Sequence, residues 1–399
     1  MDKKLKDLTA YEQQFNEDLS SFTEFQASDY IKELKNQGQT DKAIEVGRTL
    51  LEQKPELTDY INYFGYALYN RYINISLERI SENENLFYTI LKEIKENCRQ
   101  ERYSPLEASV NKAIKYEMSK SPVDYSKLNE LLDMLDGPTL DDQPFINKDG
   151  KEFESKKEKW YRQKVRALYE TENYSLCLET ANIAIASQFK WHYNNKSWIQ
   201  YYRASSLVKL GRYEEAENTF IALKDHFRAA DFSDILFQLY MNTGRENEAY
   251  TSLLYEFFLN GFDIKLMPIY LKIQSMCKEK EASKQLSLIN ALLAKMKNEE
   301  SEDYKDLDAS HVFDKLYDSL MNHLELFIKR HEGKVVYYNE DKGFGTLIDH
   351  DQRIFFRQAD YIYDEEVLKY DNVSYSLIKS YDRKKDEPTY KAILLRTIY

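Results

Sequence analysis

The stretch GKVVYYNEDKGFGTLIDHDQRIFFR, residues 333–357, departs from everything before it: two runs of strand-forming residues flank the turn Lys342-Gly343-Phe344-Gly345. Val, Tyr, Phe and Ile fill the runs while Gly and Asp punctuate them, the composition of a hairpin. Side chains alternate along a strand, so Phe344 and Thr346 belong on one face, Gly345 and Leu347 on the other. By the same rule Phe355 and Arg357 point outward, and Ile354 and Phe356 toward a core. Exposed rings beside cations are what unpaired bases stack on. Gly343 and Gly345 are read as places where the backbone approaches a ligand closely and the strand bends. Two more strand-like runs, NVSYSLIKS and TYKAILLRTI, carry the segment to its end.

The preceding 332 residues read as helices. The whole chain has only 7 Pro and 11 Gly, and apolar residues recur at three and four positions. A longer period overlies this pattern. In YYRASSLVKLGRYEEAENTFIAL, Ala204 and Leu207 lie on one helix, Gly211 and Tyr213 make a turn, and Ala216, Phe220 and Leu223 face back from the next. The order returns at Phe237, Tyr240, Gly244, Ala249 and Leu253, and earlier at Val165, Leu168, Tyr174, Cys177 and Ala181. It also occurs at Ile31, Leu34, Gly38, Ala43, Gly47 and Leu50, with Pro55 after it and Phe64, Gly65 and Leu68 opening another unit. Two short helices lie close and antiparallel when small residues stand at their crossing and a left-handed glycine ends the first. Such repeats stack into an α-solenoid. Tyrosines at helical spacing, such as Tyr60, Tyr63 and Tyr201, are read as packing between helices, with lining of the solenoid's concave face as the alternative.

Ser104-Pro105 and Ser121-Pro122 are read as helix starts, with Ser as cap and Pro in the first turn. GPTLDDQPFINKDGKEFESKKEK reads as an exposed loop. The last helix is placed from Asp308, as its cap, to Gly333. Four segments follow: a helical domain over 1–136, a linker over 137–156, a helical array over 157–332 and a β-barrel over 333–399.

The formal charge is −12, with 11 Lys and Arg against 12 Asp and Glu in residues 333–399, which leaves 45 against 56 in residues 1–332. The acid belongs to the helices, which argues against coating nucleic acid through overall charge. Without a long apolar run or an apolar leader, the chain reads as cytoplasmic, with no membrane partner. Cys98, Cys177 and Cys277 are too far apart in sequence for a clustered zinc site and read as packing residues. No phosphate-cradling loop, nucleophile elbow or HExxH is present, so the chain reads as a non-enzyme with neither cofactor nor metal. Lys190, His192, Lys196 and Arg203 are the candidates for a polar surface that meets a protein or peptide; oligomeric state is left open.

On these residues the helical hairpins over 28–70 and 160–256 resemble tetratricopeptide repeats. The segment from Gly333 resembles a cold-shock domain, through GKVVYYN, KGFGTL and RIFFRQAD in that order. The resemblance implies a five-stranded barrel of the oligonucleotide-binding (OB) type. It also implies stacking rings at Tyr337, Phe344 and Phe355 and cations at Lys334 and Lys342. Members of the family carry Phe where Thr346 and Gln358 stand and His where Arg357 stands, so two rings are missing; Arg357 and the loop Arg383, Lys384 and Lys385 offer compensating charge. Helical repeats joined to such a barrel also resemble a group of bacterial proteins of genetic-conflict and phage-defence loci. The expectation is a multidomain α + β chain, an α-solenoid followed by an OB-type barrel. Its expected role is an adaptor for single-stranded RNA or DNA, RNA favoured, and a protein partner. The alternative is a protein-only scaffold with a structural barrel.

Overall fold

Five of the helical hairpins among the described residues each turn on one residue in the left-handed region. Gly211 has φ 75°; its N–H donates to the Val208 carbonyl (3.0 Å) and the Arg212 N–H to the Leu207 carbonyl (2.8 Å). The two bonds satisfy carbonyls left free at the end of helix Asn195–Lys209 and aim the chain into helix Tyr213–Lys224. The same bonds recur around Gly38, between Glu24–Asn36 and Thr40–Gln53, and around Gly244, between Ser233–Asn242 and Glu246–Asn260. Glu172 (φ 60°) and Glu281 (φ 52°) hold the equivalent place in Lys156–Glu170/Tyr174–Ala186 and Met267–Glu279/Ser283–Met296. Small residues stand where helices cross: a Cβ on Gly47 would lie 2.2 Å from the Phe64 ring, and one on Gly65 2.4 Å from Cys98 Sγ. All three cysteines are buried.

These features belong to a computed structural model that describes residues 6–101, 103–224, 227, 232–299, 303–362, 367–382, 385 and 387–398. The chain divides into two compact units, Met1–Asn195 and Lys196–Tyr399. The barrel therefore shares a unit with the helices that precede it. Among the described residues no helix is long and apolar enough to cross a membrane.

Three local expectations are corrected. Residues 137–156 are not simply an exposed loop: Gly137 and Leu140 are buried, a Cβ on Gly137 would meet the Trp160 ring at 2.3 Å, and strands β1 (Phe145–Ile146) and β2 (Glu152–Phe153) form a hairpin. Ser104 caps helix Pro105–Glu117, but Ser121 caps nothing; Asp124 accepts from the Lys127 N–H (2.9 Å) and starts Tyr125–Leu132. Asp308 caps the last helix, which ends at Met321 rather than Gly333. A short turn over Leu324–Leu326 follows, and a strand already begins at His331.

The barrel comprises β3 (His331–Asn339), β4 (Phe344–Asp349), β5 (Gln352–Arg357), β6 (Asn372–Asp382) and β7 (Glu387–Thr397). It closes in the order β3-β4-β5-β7-β6, with β5 and β7 parallel and the other pairs antiparallel. That is the OB-type arrangement expected. Val335, Leu347, Ile354, Phe356, Val373 and Leu395 are among its core. Gly345 is corrected in role: a Cβ there would sit 2.4 Å from Phe356 Cζ, so glycine makes room for a core ring, not for a ligand.

β7 carries the feature that ties barrel to helices. Ala392 and Leu395 face the barrel core, whereas the two residues between them, Ile393 and Leu394, are buried in the core of the neighbouring helices with Phe257, Phe313 and Ile362. Leu394 has φ 52°, a conformation leucine rarely adopts, within an irregular pairing of β6 with β7. Its carbonyl accepts from Arg330 Nη2 (2.8 Å), and the same guanidinium donates to Ser374 (3.2 Å) and Ser376 (3.0 Å). Polar contacts surround this apolar joint. Asp360 accepts from Tyr255 OH (2.6 Å) and from Lys391 Nζ (3.0 Å). Glu217, almost fully buried, accepts from both Arg245 terminal nitrogens (2.8 and 3.0 Å) and from Lys379 (2.9 Å). Burial works against the Glu217 charge, but Arg245 and Lys379 outweigh it and hold its carboxyl below the usual range.

Two stability predictions follow from these turns and contacts. Gly211→Ala should lower the unfolding free energy by about 1 kcal/mol while Glu281→Gly holds or raises it, since only the first puts a Cβ into a left-handed cap; equal losses would contradict that assignment. Leu394→Ala should cost about 2–5 kcal/mol in denaturant titration, and a loss well under that range would mean that the joint is not packed as described.

Candidate nucleic-acid interface

Strand pairing arranges the outer face of β3, β4 and β5 in three rows. The middle row runs Tyr337, Thr346, Phe355 and Lys391; on one side lie Lys334, Ile348 and Arg353, on the other Asn339, Phe344 and Arg357. Lys334 and Tyr337 are three apart, a spacing that puts residues of a regular strand on opposite faces. A register shift between Val335 and Tyr337 returns both to the outer face.

The three rings form a continuous patch. Tyr337 and Phe344 centroids are 6.3 Å apart and Phe344 and Phe355 5.8 Å, with Phe344 between the other two. Tyr337 is 47% exposed and Phe355 40%, while Phe344 is half-buried. Lys334, Lys342, Arg353 and Arg357 are exposed around them. Lys342 sits in the β3–β4 turn, where its N–H donates to Asn339 Oδ1 (2.9 Å). Gly343 has φ 59° and its carbonyl accepts from the Gln358 N–H (2.8 Å), which fastens this turn to the end of β5.

The two positions at which the resemblance expects rings that this chain lacks are Thr346 and Gln358. Thr346 stands between Tyr337 and Phe355 in the row across the strands and contributes no ring there. Gln358 is turned to the Tyr338 hydroxyl, which donates to its Oε1. Arg383 and Lys384 lie outside the described residues; Lys385 is exposed beside Glu387 (3.6 Å), which offsets its charge.

Sequence reasoning missed Arg353 and Tyr370. Arg353 shares the alternation of Phe355 and Arg357, so its outward placement was available in RIFFR. Tyr370 carries no such signal. Its N–H donates to the Val335 carbonyl (2.8 Å), its φ is 81°, and its ring is 61% exposed with Lys369 Nζ 4.8 Å and Lys334 Nζ 5.6 Å from the centroid. A bulky residue held at positive φ is strained. Here the strain presents a ring between two ammonium groups beside the cationic row.

The partner-surface candidates separate. Lys196 is exposed, and Arg203 is half-buried with Nη1 donating to Thr219 Oγ1 (3.5 Å). His192, expected at a surface, is buried: Nδ1 lies 2.6 Å from Glu158 Oε2, Nε2 2.9 Å from Glu152 Oε1, and its N–H donates to Glu158 (2.7 Å). Lys190 pairs with the same Glu152. The pair thus fastens the segment after helix Tyr174–Ala186 to strand β2 and helix Lys156–Glu170. Burial opposes the imidazolium, but Glu158 and Glu152 outweigh it and hold His192 above its usual pKa.

Comparison of the chain with protein-family models and with curated proteins gave no match.

The raised His192 pKa gives stability that is complete below its ordinary value of 6.5 and fades as pH climbs through the folded value. Between about pH 6 and pH 9 the unfolding free energy should fall more steeply for the natural protein than for His192→Gln; parallel profiles would contradict the staple.

Proposed function

We propose that the chain is a non-catalytic adaptor whose barrel, of cold-shock kind, binds single-stranded nucleic acid, RNA favoured, and whose helical hairpins, of tetratricopeptide kind, receive a protein partner. The observation that carries this reading is the open ring patch Tyr337–Phe344–Phe355 with four cations around it. Rings of this size accept bases on their flat faces, and Lys and Arg at the border meet phosphates. Docking of β6 and β7 on the helices supports the reading, because it engages another part of the barrel and leaves the patch free.

The lack of a ring at Thr346 and the near-neutral balance of residues 333–399 argue for weak, sequence-tolerant binding, at about micromolar affinity or weaker. Each side chain of the patch contacts bases in general rather than one base in particular, since every base offers a π-face. The protein side rests on the stacked hairpins, whose faces elsewhere hold peptides or helices. A bacterial stress or phage-defence setting rests on the resemblance in chain architecture.

Binding of a short labelled single-stranded RNA, followed by fluorescence anisotropy, tests the reading. Tyr337→Ala and Phe355→Ala should each weaken binding by about 1–3 kcal/mol, roughly five- to 150-fold, without altering the helical circular dichroism. Engagement of Lys334, Lys342, Arg353 and Arg357 should give a log affinity against log salt slope of about −3. Unchanged affinity in both ring variants would overturn the face, and absence of any salt-dependent binding would favour the protein-only scaffold.

A further inference from the structure

The unit Met1–Asn195 holds a second cationic concavity, unrelated to the barrel. A cleft of about 600 Å³ lies between helices Pro105–Glu117 and Lys156–Glu170, and four cations line it: Lys112, Lys115, Lys159 and Arg162. Among the described residues no Asp or Glu lines it, in a chain whose net charge is −12. One wall is apolar, with Tyr69, Leu77 and Met118. A smaller cavity of about 140 Å³ adjoins it, sharing Asn111, Ile114, Lys159 and Gln163 and opening toward Trp160.

The charges in this cleft are unequally satisfied. Arg162 is bound through Nε (3.1 Å) and Nη2 (2.8 Å) to Glu154. Lys159 Nζ donates to a neutral acceptor, Asn111 Oδ1 (3.0 Å), and its burial pushes the ammonium pKa down. Neither Lys112, Lys115 nor Lys159 is in an ion pair among the described residues. A half-buried ammonium with a neutral partner, beside other cations, costs stability. Like charges gathered in a concave, low-dielectric site focus a potential that an anion relieves. Lysine serves as a point charge for phosphate oxygens.

We propose that this cleft binds a small phosphorylated ligand of the nucleoside polyphosphate class. The phosphates lie among Lys112, Lys115 and Lys159, and the base lies along Tyr69, Leu77 and Met118. The volume suits one nucleotide, within the about 300–1,000 Å³ of small-molecule sites, and the apolar wall gives the base a surface that inorganic phosphate would not use. The proposal stands apart from the barrel, so either can fail without the other.

The test uses the full chain and two readouts, thermal shift and calorimetry. The probes are ATP, GTP, their diphosphates, adenosine and inorganic tripolyphosphate. A saturable rise in melting temperature is expected with a nucleoside di- or triphosphate, none with adenosine, and a smaller one with tripolyphosphate. Lys159→Gln, and separately the double variant Lys112→Gln with Lys115→Gln, should weaken nucleotide binding about tenfold or more. Lys92→Gln, at an exposed lysine outside the cleft, should not. The Lys112 and Lys115 substitutions keep the test decisive if Lys159→Gln perturbs folding. No shift at millimolar nucleotide, equal binding by the folded cleft variants, or a tripolyphosphate response as strong as that of the nucleotides would overturn the assignment.

Discussion

The left-handed turn of β7 at Leu394 is the constraint on which the C-terminal unit depends. In a regular strand Ile393 and Leu394 would face opposite sides of the sheet. The bulge puts both into the helical core while Ala392 and Leu395 stay in the barrel. A small barrel alone buries little apolar surface and is marginal; sharing two large side chains with Phe257 and Phe313 joins its stability to that of the helices. Positive φ at leucine is unfavourable by about 1–2 kcal/mol, which burial of the same side chain and the bond from Arg330 to its carbonyl offset.

That joint also settles which part of the barrel is free. The ion contacts around it, Asp360 with Lys391 and Glu217 with Arg245 and Lys379, occupy β6, β7 and the turn after β5. Buried pairs of this kind fix orientation more than they add stability, because desolvation cancels much of the attraction. Lys391 illustrates the division: it continues the row of Tyr337, Thr346 and Phe355, yet its charge is committed to Asp360. The ring row left open therefore ends at Phe355, and the exposed cations beside it are Lys334 on β3, Lys342 in the β3–β4 turn, and Arg353 and Arg357 on β5.

Much of this arrangement was legible from residue pattern. Glycine at 38, 211 and 244 marked three hairpin turns because glycine is the residue that enters the left-handed region freely. Glu172 and Glu281 do the same work without the signal, since a charged helix former at that place reads as more helix. Alternation placed Phe344, Phe355 and Arg357 outward and Phe356 inward, as found. What alternation could not reveal were the two places where it breaks, near Val336 and at Leu394. There tertiary packing, not local preference, sets the backbone. The hairpin of β1 and β2 was hidden in a Pro-, Gly- and charge-rich run, and its anchor, the Glu158–His192–Glu152 cluster with Glu158 and His192 buried, joins residues 34 to 40 positions apart. Tyr370 reached the candidate site through a backbone contact to Val335, which composition does not encode.

On the proposed function, bases meet the open ring patch while β6 and β7 remain docked. Photocrosslinking of the full chain to a single-stranded RNA containing 4-thiouridine, with adducts located by mass spectrometry, tests it most directly. Adducts concentrated on Tyr337, Phe344, Phe355 and Tyr370 are the predicted result. Adducts confined to the helices, or to β6 and β7, would contradict it.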